Sequence, residues 1–138
     1  MPAAPTAVLD EVRDLAPLAI GLFGASTGAA AALVVAAAPT ARISAVVSRG
    51  GRPDLAEAAL TSVKVPTLLI VGGEDREVIA LNEKARQRMK TEVLLEVVPG
   101  ASHLFHEPGA LETVAHLAAD WFTRHLQGDR PPSVVQRR

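Results

Sequence analysis

Leu18-Ala-Ile-Gly-Leu-Phe-Gly-Ala-Ser-Thr-Gly-Ala-Ala-Ala-Ala-Leu33 is the stretch whose reading decides the fold. Ala19 to Phe23 is a short apolar run that reads as a buried strand, and Gly28 to Ala38 is Ala-rich and reads as a buried helix. Between them lies Gly24-Ala-Ser-Thr-Gly28, a G-x-S-x-G turn in a strand-turn-helix setting. Such a turn lifts the Ser26 side chain off the end of a sheet. It also points a helix N-terminus, with free N–H groups and the positive dipole end, at whatever Ser26 attacks. Both glycines are expected to be required, because backbone must pass close to the turn where a Cβ would intrude. Ser26 is thus a candidate nucleophile.

Composition narrows the surroundings of this turn. The chain has 138 residues, 49% hydrophobic and 21% charged, which suits one globular domain with a real core. Its net charge of −1 gives no reason to expect nucleic acid or an anionic membrane surface as partner. It has no cysteine, so disulfides, thiolate catalysis and cysteine zinc sites are excluded. No metal or cofactor motif is present, and none is expected. Met1-Pro-Ala-Ala-Pro5 lacks the basic region and apolar core of a secretory signal, so a cytoplasmic location is expected. No charge occurs from Leu15 to Ala41, a length that could cross a bilayer. Pro17 and Pro39 fence that run, and Gly, Ser and Thr interrupt it, so strand plus helix is the better reading.

Taken in order, residues 1–6 read as a flexible lead, 7–127 as the domain and 128–138 as a disordered tail. Thr6 is placed to cap a helix over Ala7 to Leu15. After the first strand and helix, Ile43 to Ser48 reads as a second strand, ending in the loop Arg49-Gly-Gly-Arg-Pro-Asp54. Asp54 and Glu57 have capping-box spacing for a short helix through Leu60. Val65 to Val71 is a continuous Val/Ile/Leu run, the pattern of a parallel strand buried on both faces. A helix over Val78 to Met89 follows, polar through Glu83, Lys84, Arg86 and Arg88. Glu92 to Val98 reads as the fourth strand. The last helix, Gly109 to Leu126, is expected to bury Leu111, Val114, Leu117, Ala118, Trp121 and Phe122. The alternation predicts an α/β fold of about four parallel strands with helices on both faces. Chemistry in such sheets gathers at the carboxyl ends of strands. Ser26, Asp75 and His103 each fall just past one.

Serine needs a base within hydrogen-bond reach, and an imidazole needs a carboxylate on its far nitrogen to fix its tautomer. Ser26, Asp75 and His103 supply these groups in the chain order nucleophile, acid, base. Each residue also has a plainer reading. Ser26 could merely join strand to helix, Asp75 could cap the following helix, and His103 could be an ordinary loop histidine. Glu74 and His106 are the nearest competitors, while His116 and His125 read as surface or helix-end residues. Arg49 and Arg52 could bind an anionic substrate, or could anchor their loop through Asp54 or a carbonyl.

The segments Ile20-Gly-Leu-Phe-Gly-Ala-Ser-Thr-Gly28, Val47-Ser-Arg-Gly-Gly-Arg-Pro-Asp-Leu-Ala56, Pro66-Thr-Leu-Leu-Ile-Val-Gly-Gly-Glu-Asp75 and Pro99-Gly-Ala-Ser-His-Leu-Phe105 resemble the C-terminal half of an α/β-hydrolase, closest to the dienelactone-hydrolase-like group. The resemblance runs from Leu9 to Leu126. It implies a truncated α/β-hydrolase fold, Ser26 as nucleophile, Asp75 as acid and His103 as base, acting on an ester or related acyl substrate through an acyl-enzyme. Dienelactone hydrolases proper carry cysteine as nucleophile; serine here implies chemistry nearer the ordinary esterases. A complete member has further strands before the nucleophile and a loop giving a second oxyanion donor. Here Thr27 N–H supplies one donor only. The Ala19–Phe23 strand becomes an uncharged apolar edge, which proteins usually avoid. Pairing of two copies across this edge into an eight-stranded sheet is therefore expected. The alternative function is a non-catalytic remnant serving as a dimerising or binding module.

Overall fold

A computed structural model describes residues 19–126; the expected N-terminal lead, the Ala7–Leu15 helix and the C-terminal tail lie outside the described residues. Four strands, β1 (Gly21–Ala25), β2 (Ala45–Arg49), β3 (Thr67–Gly72) and β4 (Val93–Val98), form one sheet in the order β1-β2-β3-β4. All neighbouring pairs are parallel. The connections are α1 (Thr27–Ala37), a 3-10 helix (Pro53–Ser62) and α2 (Arg76–Arg88), with α3 (Ala110–His125) after β4.

Sequential parallel strands joined by crossovers of one hand place all three crossover helices on the same face. That face is packed by Leu33 and Val35 of α1, Ala56 and Leu60 of the 3-10 helix, and Ala85 of α2, with Val46 of β2 among them. The opposite face is covered by α3, whose Ala110, Val114, Ala118 and Trp121 pack on Ala45, Val47, Leu68 and Ile70. Alternate residues of β2 thus serve alternate cores, as the two-residue period of a strand requires. Every residue of β3 is buried, which explains its unbroken apolar run. Removing a side chain such as Leu33 or Leu69 from water contributes about 1.5–3 kcal/mol each.

The expected helices on both faces are therefore present, with local corrections. β1 begins and ends two residues later than the apolar run suggests, because its pairing with β2 continues to Ala25↔Arg49 and runs straight into the Ser26 turn. Asp54 does not cap the following segment. Arg52 occupies the N-cap and Pro53 the first helical position, so the Asp54 carboxylate turns back onto the Arg52 guanidinium. That segment is 3-10 rather than α, with a kink at Ala56. Leu111 is 51% exposed. It lies in the first turn of α3, roughly 60° round from the centre of the stripe formed by Ala110, Val114, Ala118 and Trp121. β1 is an edge of the described sheet, and its Phe23 is 50% exposed. No helix among the described residues is long and apolar enough to cross a membrane.

Candidate active site

Ser26 occupies the sharp turn between β1 and α1, with φ 52° and ψ −123°. A non-glycine residue with positive φ costs of order 1–3 kcal/mol and persists only where its surroundings hold it. The holding groups come from the end of β2, the loop after it and the first turn of α1. Ser26 N–H donates to the Arg49 carbonyl (3.1 Å), and the Ser26 carbonyl accepts from Ala29 N–H (3.1 Å) and Arg52 N–H (3.4 Å). Gly24 is needed for this turn, since a Cβ there would lie 2.5 Å from the Gly28 carbonyl oxygen and 2.7 Å from the Ala29 Cα. Gly28 is a correction to the sequence reading: a Cβ there meets nothing within 4 Å, so crowding does not require glycine.

Asp75 and His103 meet because the loops after β3 and β4 bond to each other. Gly73 N–H donates to the Val98 carbonyl (2.8 Å) and Glu74 N–H to the Ala101 carbonyl (3.0 Å). The approach needs Gly72, where a Cβ would overlap the Ala101 carbonyl oxygen. Asp75 stands at the N-cap of α2 but makes no side-chain capping bond. Its carboxylate accepts instead from His103, Oδ2 to Nδ1, at 2.6 Å. His103 Nε2 lies 3.0 Å from Ser26 Oγ. The structure thus brings the three predicted residues into one line of hydrogen bonds. With Nδ1 donating to the carboxylate, Nε2 is the acceptor for the Ser26 hydroxyl proton. His103 is 39% exposed at its side chain and Asp75 17%, so the line opens to solvent at its imidazole and is closed at its acid.

The remaining candidates separate cleanly. Glu74 is exposed, and His106 points to Glu107 (3.8 Å) with 72% of its side chain exposed. His125 packs against Trp121 with the two rings tilted by 54° at a 4.3 Å centroid distance, on the last turn of α3. Arg52 donates two hydrogen bonds to Asp54 (2.9 and 2.8 Å), the anchoring arrangement, and its guanidinium holds the Asp54 carboxyl below the usual range. Arg49 lies over the Phe105 ring, 5.5 Å from guanidinium carbon to centroid. Thr27 is the first residue of α1, so its N–H has no intrahelical partner. Among the described residues no group of three or more His, Asp or Glu side chains could hold a metal ion.

Three supporting features escaped the sequence reading. Glu107 accepts the Ser102 N–H (3.1 Å) and so fixes the loop beside His103; that donated bond holds its carboxyl below the usual range. Phe105 is fully buried at φ 57°, which turns the chain sharply two residues after His103. Asn82 is fully buried on α2. Its signal was present: an asparagine in the stripe Val78, Asn82, Ala85, Met89, where helical periodicity calls for an apolar residue.

The fold is shared with solved α/β proteins of low identity. One is a monoacylglycerol lipase from Paleococcus ferrophilus (TM-score 0.71, 15% identity), covering 87% of this chain and 74% of that one. A dienelactone hydrolase from Anabaena variabilis is far nearer, with TM-score 0.75 and 60% identity over 77% of this chain and 49% of its own. Two curated relatives from Mycobacterium tuberculosis, each named "Putative phosphoribosyl transferase", are 60% identical over 118 residues. Those residues are 86% of this chain and 27% of each relative, so the chain spans about a quarter of their length. Residues 3–127 match the model of the dienelactone hydrolase family. The chain belongs to the dienelactone hydrolase family, with an α/β-hydrolase fold.

Proposed function

We propose that this chain is a serine hydrolase acting on carboxylic esters through Ser26, His103 and Asp75. The observation that carries the reading is the continuous line Ser26 Oγ, His103 Nε2 (3.0 Å), His103 Nδ1, Asp75 Oδ2 (2.6 Å), set on a strained turn. Ser26 Oγ attacks the ester carbonyl carbon while its proton passes to His103 Nε2. The tetrahedral oxyanion accepts from Thr27 N–H at the start of α1, where the helix dipole favours negative charge. Collapse breaks the bond to the leaving alcohol, which takes the proton from Nε2, and leaves an ester on Oγ. Water then attacks that ester with His103 as base, and the carboxylic acid leaves as Ser26 regains its proton. Asp75 keeps Nδ1 protonated throughout. Arg49 and Arg52 border the site as substrate-contacting candidates, Arg52 with its guanidinium already committed to Asp54. The transferase name of the mycobacterial relatives is not carried over, since the matched region is 27% of each.

Among the described residues Thr27 N–H is the one donor assigned to the oxyanion; two are usual, and losing one typically lowers the rate about 100- to 1000-fold. The edge strand β1, with Phe23 half-exposed, favours completion by a second copy paired along that edge, each copy setting a loop near the other's Ser26. The second reading is a non-catalytic remnant serving as a dimerising or binding module, in which the oxyanion site stays incomplete. A fluorophosphonate probe and p-nitrophenyl acetate turnover separate the two. Labelling and turnover that vanish in Ser26→Ala and His103→Ala are the expected result. A folded wild-type protein inert to both would leave the binding module.

A further inference from the structure

Asn82 is fully buried, one of three buried polar side chains among the described residues. Its Nδ2 donates to the Val78 carbonyl in its own helix (2.8 Å) and to the Gly51 carbonyl across the packing interface (3.1 Å). Its Oδ1 is buried without a partner. An apolar residue would suit the site better on packing grounds alone, so the cross-element bond to Gly51 is what this asparagine provides.

Gly51 sits in the middle of the loop that holds the reacting groups. On one side Arg49 and Arg52 bond the Ser26 backbone, at its N–H and its carbonyl. On the other, Gly50 lies against His103, where a Cβ would be 3.3 Å from its carbonyl oxygen and 3.4 Å from its Cε1. Two adjacent glycines, Gly50 at φ 56°, leave this loop with little stiffness of its own. Asn82 comes seven residues after Asp75, two turns along one face of α2. One rigid helix therefore presents the acid to His103 at its start and grips the loop two turns further on.

We infer that Asn82 is a positioning residue: through the Gly51 carbonyl it fixes the 49–52 loop, and with it the spacing of Ser26 and His103. This rests on the Ser26–His103–Asp75 reading. In Asn82→Leu both donated bonds are lost while the volume is filled. In Asn82→Ser the hydroxyl can still bond back to the Val78 carbonyl but is too short to reach Gly51. A role confined to the bond within α2 would spare the second variant; a positioning role would not.

The test compares wild type, Ser26→Ala, Asn82→Leu and Asn82→Ser by p-nitrophenyl acetate kinetics and by nitrogen-15 NMR of the His103 ring across a pH titration. Both Asn82 variants are expected to lose roughly 10- to 100-fold in kcat with KM within about twofold, as misplacement of reacting groups by about 1 Å does. The His103 ring resonances and titration midpoint are expected to move with them. A folded Asn82→Ser variant with wild-type kcat and unmoved His103 resonances overturns the inference, whatever Asn82→Leu does. If wild type shows no Ser26-dependent turnover, the hydrolase reading fails by itself. The ring resonances and midpoint then still decide the role of Asn82.

Discussion

The strain at Ser26 can be weighed by comparing two inactive variants, Ser26→Gly and Ser26→Ala. Both remove Oγ and its 3.0 Å contact with His103 Nε2, so that loss cancels between them. Only glycine adopts φ 52°, ψ −123° without a Cβ penalty, while alanine retains it. Residues held in such regions cost about 1–3 kcal/mol. Against this, glycine loses more unfolded-state entropy than alanine on folding, about 0.4–1 kcal/mol. The midpoints of the two ranges leave Ser26→Gly more stable than Ser26→Ala by about 1.3 kcal/mol, within limits of about 0–2.6 kcal/mol. For a domain of this size that is a Tm higher by about 4–8 °C. Thermal and urea unfolding followed by circular dichroism measure it, with m-values compared to confirm the same unfolded state. At ordinary helix or strand positions glycine is the less stable of the two. A Ser26→Gly protein less stable than Ser26→Ala by the ordinary glycine deficit of about 0.4–1 kcal/mol would therefore mean that the turn carries no strain.

The two glycines of the same turn are expected to part company. Gly24→Ala drives a Cβ into the Gly28 carbonyl and Ala29 Cα and should cost about 2 kcal/mol or more, whereas Gly28→Ala should be neutral or stabilising by up to about 1 kcal/mol, both read by urea midpoint. Because Arg52 lowers the Asp54 carboxyl below its unfolded value, their pairing stabilises the fold fully above that unfolded value and loses the contribution as pH falls through the folded one. Arg52→Gln should flatten that acid-side slope, by a small amount for so exposed a pair, in unfolding measured from neutral pH to below pH 3. If a second copy completes the oxyanion site, specific activity should rise with protein concentration, by up to about 100- to 1000-fold across assembly. Phe23→Lys, which puts a charge on the β1 edge, should hold it at the lower level; flat specific activity while light scattering reports dimer formation would refute this.

What could be read in the amino acids alone was whatever depends on period and chain order. The unbroken apolar run of β3 follows directly from burial on both faces. Ser26, Asp75 and His103 were readable because a parallel sheet in the order β1-β2-β3-β4 delivers the ends of its strands to one rim. Features that depend on which surfaces meet were not readable. Gly28 matches a motif, yet the space around it is open. Asp54 has the spacing of a cap, yet Pro53 shifts the helix start and a guanidinium two residues back takes its carboxylate. Leu111 keeps helical period with the core but falls at the margin of the buried stripe. Asn82 breaks the apolar pattern, and only the Gly51 carbonyl opposite explains why.

The sheet order also divides the catalytic apparatus unevenly. Ser26, His103 and Asp75 stand at the ends of β1, β4 and β3, and the loop that bonds the Ser26 backbone follows β2. All four belong to one continuous sheet, so the hydrogen-bonded line from Ser26 to Asp75 depends on nothing across the β1 edge. Oxyanion stabilisation differs, because Thr27 opens α1 beside that edge and supplies a single N–H. In the proposed reaction the Ser26 proton is moved by His103 with Asp75 behind it, both within the described residues. In acyl transfer, stabilising the charge that attack creates usually lowers the barrier more than moving the proton does. On the proposed reading, the Thr27 N–H and whatever faces it across the β1 edge of the described sheet therefore weigh more on the rate than the Ser26–His103–Asp75 line.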